Sequence, residues 1–71
     1  MDPKTFYSIK SYQLSILIEQ INDAKAQLAD IIAAEALAPA GDTNDLTYIS
    51  HSLDVAQLSA SGLLAAVEAM L

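Results

Sequence analysis

His51 is the single histidine of the chain and is therefore the side chain best suited to acid–base chemistry near neutral pH. Asp54 follows three residues later, so on a helix its carboxylate could orient the imidazole, as in many catalytic sites. No nucleophile, second base or set of oxyanion donors accompanies this pair. The two glycines, Gly41 and Gly62, form no phosphate-binding loop. We interpret His51 as a surface or interface residue and predict that the protein is not an enzyme.

The carboxylates are the other groups that could bind a ligand. Glu19, Asp23 and Asp30 fall on one side of a helix, but metal sites in helical bundles use inward-facing Glu-x-x-His motifs, which this sequence lacks. The chain has no cysteine, which excludes thiolate metal sites and disulfides. We expect these acids to form a solvated face and predict neither a metal nor a cofactor. Glu35 interrupts an apolar pattern, and we interpret it as a residue that fixes helix register.

The composition limits the possible partners. Nine acidic residues stand against three lysines and no arginine, which gives a net charge of −6. Nucleic acids and anionic membranes are bound by clustered positive charge, so we predict neither as a partner. No apolar run approaches the roughly 20 residues of a membrane span, and the first residues lack the layout of a signal peptide. We expect a cytoplasmic protein.

Two segments separated by a proline–glycine turn carry helical signals. Asp2-Pro3 is typical of a helix start, and no glycine or proline follows until Pro39-Ala40-Gly41. We predict an all-α fold in which residues 1–71 form one domain, with a helix over about residues 3–37, a turn over about 38–43 and a helix over about 44–70. A connection this short makes the helices antiparallel, which gives a two-helix hairpin.

Apolar residues recur at alternating steps of three and four along both helices, the spacing of a heptad seam. The seam residues of the first helix are Leu14, Leu17, Ile21, Ala24, Leu28 and Ile31, widened by Ile18 and Ile32. Those of the second helix are Leu46, Ile49, Leu53, Ala56, Ala60, Leu63, Val67 and Met70. We expect these residues to close the hairpin. Pairing Leu37 with Leu46 across the turn then places everything before about Tyr12 beyond the end of the second helix.

A second stripe, here called the outer stripe, follows the same rhythm on another side of the second helix. Its members are Tyr48, His51, Val55, Leu58, Gly62, Ala65 and Ala69, and all except His51 are the predicted interface residues. A hairpin needs only one seam to close on itself, and a core of this size supplies only roughly 3–5 kcal/mol. We therefore predict that the outer stripe is an oligomer interface and that the hairpin dimerises into a four-helix bundle. The alternative is a solvated face, because alanine favours helices and tolerates water.

The first twelve residues differ in character from the rest. Lys4 and Lys10 against Asp2 give this segment a charge of +1, whereas Lys25 against eight acids gives the remainder −7. The segment also holds the single phenylalanine and two of the three tyrosines, and aromatic side chains contribute much of the binding energy at interfaces. The candidate partner-binding residues are Lys4, Phe6, Tyr7, Lys10 and Tyr12. The alternative is that these aromatics fill the open end of a bundle.

These features predict a noncatalytic, acidic protein–protein interaction module that acts as a homo-oligomer, most simply a homodimer, and binds a further protein. An adaptor, an inhibitor and a co-chaperone are the types that fit. Two alternatives stay open at the level of the sequence. One is a small-molecule-binding oligomer with an apolar pocket between helices. The other is a structural subunit that polymerises through head-to-tail contacts.

Overall fold

The computed structural model describes residues 2–37 and 44–71, which form two α-helices. α1 spans Pro3–Ala36 and α2 spans Asn44–Ala69. The two helices pack against each other as a hairpin, which confirms the predicted all-α fold. The predicted turn at about 38–43 lies outside the described residues.

α1 begins at the Asp-Pro pair. Asp2 occupies the N-cap position, and Pro3 occupies the first turn, where the missing N–H of proline costs no hydrogen bond. The Asp2 side chain makes no capping hydrogen bond, but its carbonyl oxygen accepts the Phe6 N–H at 3.0 Å. In α2, Asp45 lies in the first turn, where its negative charge is stabilised by the helix dipole.

The contact between the helices is built on residues spaced by seven, here called the core line. Its members are Leu14, Ile21 and Leu28 on α1 and Leu46, Leu53, Ala60 and Val67 on α2. All are buried except Leu46 and Leu53, which are half-buried. Each of these residues belongs to the predicted seam. Burial of a leucine to this extent stabilises the fold by about 2 kcal/mol.

The other residues of the predicted seam, which lie three positions after core-line residues, are at the side of this contact. Leu17 and Ile31 are 44% and 49% exposed. Positions four residues after the core line take their place, and all of these are half-buried: Ile18, Lys25, Ile32, Ser50, Gln57 and Leu64. The prediction that Leu17, Ile31 and their counterparts on α2 close the hairpin is wrong, because each helix is rotated by about 50° from the predicted orientation.

Polar side chains on one side of the contact account for this rotation. Lys25 Nζ lies 2.9 Å from Asp54 Oδ1 and donates a hydrogen bond to Gln57 Oε1 at 2.6 Å. Gln57 Nε2 donates to Asn22 Oδ1 at 2.6 Å. These four residues lie one or four positions after core-line residues, which places them on the same side of the helix pair. The residues three positions after the core line therefore lie on the other flank of the helix contact, away from these polar side chains.

The same polar contacts fix the register of the two helices. In an antiparallel pair, two residues at the same level have residue numbers with a constant sum, and for these contacts the sum is about 80. Leu14 is therefore level with Val67. The predicted pairing of Leu37 with Leu46 is about three residues out of this register, because the apolar pattern alone does not fix how many residues the connection takes. α1 therefore extends beyond α2 only for residues before about 9. The Cα atoms extend over 57 Å along the hairpin and 15 Å across it.

Candidate functional site

The N-terminal end of α1 carries a group of aromatic, apolar and cationic side chains, here called the N-terminal cluster. Phe6 and Tyr7 pack edge to face with ring centroids 5.4 Å apart, and Lys10 Nζ lies 5.8 Å from the centroid of the Phe6 ring. Phe6, Ile9, Lys10 and Gln13 line an open pocket of about 420 Å³. An apolar pocket bordered by one cation is suited to an apolar side chain that lies next to a carboxylate.

The structure brings together three of the five predicted partner-binding residues, namely Phe6, Tyr7 and Lys10. Lys4 lies on the opposite side of α1, and Tyr12 lies about a third of a turn from the pocket. Sequence reasoning did not assign Ile9 and Gln13 to the site. The available signal was the spacing of the four pocket residues, at steps of three, one and three, which places them on one helix face.

The outer stripe lies on the side of α2 that faces away from α1. Tyr48 and Leu58 are 73% and 75% exposed, and Val55, Gly62, Ala65 and Ala69 are exposed as well. A Cβ atom added at Gly62 would meet no other group within 4 Å. The stripe is therefore available to another chain, and its assignment as the oligomer interface stays a prediction.

A further uncovered surface, here called the apolar face, spans both helices. Its central residues each lie three positions after a core-line residue, and all are exposed except Ala24, which is half-buried: Leu17, Ala24, Ile31, Ile49, Ala56, Leu63 and Met70. In the observed register, Leu17 is level with Leu63, Ala24 with Ala56 and Ile31 with Ile49, so that a small pair lies between two large pairs. Sequence reasoning placed these residues inside the hairpin and therefore missed the surface.

Charged residues border the apolar face only at its two ends. The rim between them is uncharged and consists of Gln13, Gln20 and Gln27 on α1 and Ser52, Ser59 and Ala66 on α2. Lys10 lies at one end, and Glu35 and Asp45 lie at the other. The remaining charged residues in 2–37 and 44–71 lie on other sides of the helices. An apolar centre with a polar, uncharged rim is the usual layout of a protein interface.

His51 and Asp54, which are spaced to form a pair on a helix, are not paired in the structure. Asp54 pairs with Lys25, not with His51, which is exposed. Glu35 is half-buried, and its side chain makes no hydrogen bond or ion pair with another described residue. Its interpretation as a residue that fixes register stays a prediction.

The acids of α1 lie on its outer side. Glu19, Asp23 and Asp30 are all exposed there. Across residues 2–37 and 44–71, no three His, Asp or Glu side chains are grouped closely enough to hold a metal ion together. These acids therefore give the outer surface of α1 a negative potential, which attracts basic protein surfaces and repels acidic ones.

No protein-family model, curated protein or solved structure matches the chain. Neither α1 nor α2 contains a stretch that is long and apolar enough to cross a membrane. The function is therefore inferred from the surfaces of the hairpin.

Proposed function

We propose that this protein is a noncatalytic, acidic protein-interaction module of the adaptor, inhibitor or co-chaperone type that acts as a homo-oligomer. The observation that carries the proposal is the apolar surface that the hairpin leaves uncovered. Among the described residues, fourteen large hydrophobic side chains are exposed and five hydrophobic residues are buried. Single exposed apolar residues are normal on protein surfaces, but continuous patches with polar rims mark interaction sites.

Phe6 and Tyr7 of the N-terminal cluster are the residues that we assign to the contact with a different protein. This aromatic pair lies on the part of α1 that extends beyond α2, and about half of the Phe6 surface is exposed. The first twelve residues carry +1 and the remainder −7. A long-range field of this kind attracts an acidic target to this end of the hairpin and repels it elsewhere. The partner is therefore expected to present an apolar anchor with carboxylates beside it.

The test is a binding experiment with the double variant Phe6→Ala/Tyr7→Ala. The tagged wild-type chain is used to capture proteins from cells of the source organism, and the captured protein is then titrated against each variant by calorimetry. Truncating two interface aromatics should weaken binding by roughly 10- to 100-fold. Tyr12→Ala removes the same ring as Tyr7→Ala from another side of α1 and should have a much smaller effect.

Two results would overturn the assignment of this end as a recognition site. One is unchanged affinity in the double variant. The other is loss of self-association in the double variant, measured by light scattering after gel filtration, because these aromatics would then belong to the core of the oligomer. In that case the partner surface would lie elsewhere, first on the acidic side of α1 around Glu19, Asp23 and Asp30.

A further inference from the structure

The apolar pattern of each helix is wider than one helix–helix contact uses. The hairpin contact uses the core line and the positions four residues after it, whereas the positions three residues after it form the apolar face. A helix that is apolar on the core line and three residues after it, and partly apolar four residues after it, has a stripe wide enough for two neighbouring helices. The hairpin supplies each helix with one neighbour. The apolar face is therefore the side on which each helix lacks its second neighbour.

We propose that a second copy of this chain docks on the apolar face with its turn at the opposite end, so that the two hairpins form an antiparallel four-helix bundle. This inference rests on the proposed homo-oligomer and specifies its surface and geometry. The twofold axis runs across both helices at the level of Ala24 and Ala56. It places Ala24 against Ala24 of the second copy and Ala56 against Ala56 of the second copy.

The arrangement of large and small side chains suits this symmetry. The alanine pair lies at the axis and lets the backbones of the two copies approach closely. Seven residues away on either side, Leu17 comes level with Ile31 of the second copy, and Leu63 comes level with Ile49 of the second copy. Large side chains of one copy therefore pack against large side chains of the other, and the alanines of one copy pack against the alanines of the other.

The charges at the ends favour a second copy in this orientation. Lys10 is fourteen residues from Ala24 and Glu35 is eleven residues from it on the other side. In the antiparallel arrangement Lys10 and Glu35 of the second copy are offset by only about 4.5 Å along the axis, and Glu35 lies at the next core-line position, beside the apolar face, so the lysine side chain has to reach sideways as well. The contact occurs twice by symmetry, and Asp45 adds a further negative charge at the same end. Hairpins with their turns at the same end would instead bring acid against acid.

The area of the face is sufficient for a stable dimer. Between Lys10 and Ile31 it is about 32 Å long, and two helices side by side are roughly 20 Å wide. One copy would therefore lose roughly 600 Å² and the pair roughly 1,200 Å², which is within the range of specific interfaces. The outer stripe lies on one helix only and offers a narrower contact.

Disulfide trapping tests the geometry directly, because the chain has no cysteine of its own. Ala24→Cys places one thiol next to the proposed axis, where two Cα atoms fall within the roughly 7 Å that a disulfide requires. Mild oxidation should convert most of this variant into a covalent dimer. Leu17→Cys is the matched control, since its two thiols would lie about 20 Å apart in the dimer and should remain uncrosslinked. Equal crosslinking of both variants, or no crosslinking of Ala24→Cys, would overturn the proposed axis.

Neighbouring glutamate variants test the surface. Leu17→Glu puts charge into the apolar face, whereas Ile16→Glu puts the same charge on a different side of α1 at a residue that is 37% exposed. Sedimentation velocity should show at least a roughly 100-fold weaker dimer for Leu17→Glu, since the charge would be buried without a partner. Ile16→Glu and Leu58→Glu should stay dimeric. A dimer that survives Leu17→Glu and dissociates in Leu58→Glu would assign the interface to the outer stripe.

The outcomes separate this inference from the proposed function. A monomeric wild-type chain that still captures its partner through Phe6 and Tyr7 would refute the second copy on the apolar face and leave the N-terminal recognition site standing. A dimer crosslinked through Ala24→Cys that captures no partner in a Phe6- and Tyr7-dependent manner would support the interface and count against the recognition site.

Discussion

Replacing Leu28 by alanine should destabilise the fold more than the same change on the outer surface. Leu28 is a core-line residue with 6% of its surface exposed, and it lies level with Leu53. The substitution removes three carbon atoms, whose transfer from water is worth about 2.4 kcal/mol at 0.8 kcal/mol each. A remaining cavity adds to this loss, but the contact is open at its sides and can partly collapse. We expect the free energy of unfolding to fall by about 2–3 kcal/mol.

Leu58→Ala is the matched comparison, because it makes the same chemical change on the outer stripe. Leu58 is 75% exposed in the hairpin, so by the same reasoning it should cost about 0.6 kcal/mol or less. Urea unfolding followed by circular dichroism at one fixed protein concentration measures both variants, since the stability of an oligomer depends on concentration. Equal losses for the two variants would refute the reasoning, because Leu58 would then be buried as deeply as Leu28.

Three further outcomes follow from the described contacts. Gly62→Ala should stabilise α2 by up to about 1 kcal/mol in thermal unfolding, because the added Cβ meets no other group and alanine is the better helix former; if Gly62→Leu weakens self-association, another helix approaches there. His51→Ala should leave partner binding intact in calorimetric titration, and a loss of binding without a change in folding or oligomeric state would give the residue a functional role. Lys25→Met removes a salt bridge between partly exposed groups and should cost less than about 1 kcal/mol in urea unfolding; a larger loss would show that this ion pair is stronger than its exposure implies.

The core line is the part of the structure that follows most directly from the sequence. Leu14, Ile21, Leu28, Ala60 and Val67 repeat every seven residues, and a repeat of seven keeps apolar side chains on one helix face. The sequence also predicts the hairpin itself, because two long helical patterns flank one short proline–glycine connection.

The apolar pattern could not predict which flank of the core line closes the hairpin. Leu17 and Ile18 are both apolar and lie on opposite flanks, as do Ile31 and Ile32, so either pair satisfies the pattern. The choice depends on the polar contacts among Asn22, Lys25, Asp54 and Gln57, which join residues distant in sequence. The apolar face could not be predicted for the same reason, because its residues had been assigned to the contact between the two helices.

Only some of the predicted N-terminal residues lie together in the structure, because composition identifies a segment of the chain but not a face of the helix. Aromatic and lysine residues are concentrated before residue 13, and composition treats Lys4 and Tyr12 like Phe6 and Lys10. The helical period separates them, because Lys4 and Tyr12 lie on other sides of α1 from the pocket. Ile9 and Gln13 join the pocket for the same reason.

Sedimentation velocity over a range of concentrations measures the self-association of the wild-type chain. We expect one species with twice the 7.5 kDa mass of the chain at micromolar concentration, which dissociates on dilution with loss of helical signal. A species of 7.5 kDa that stays fully helical at every concentration would contradict this expectation.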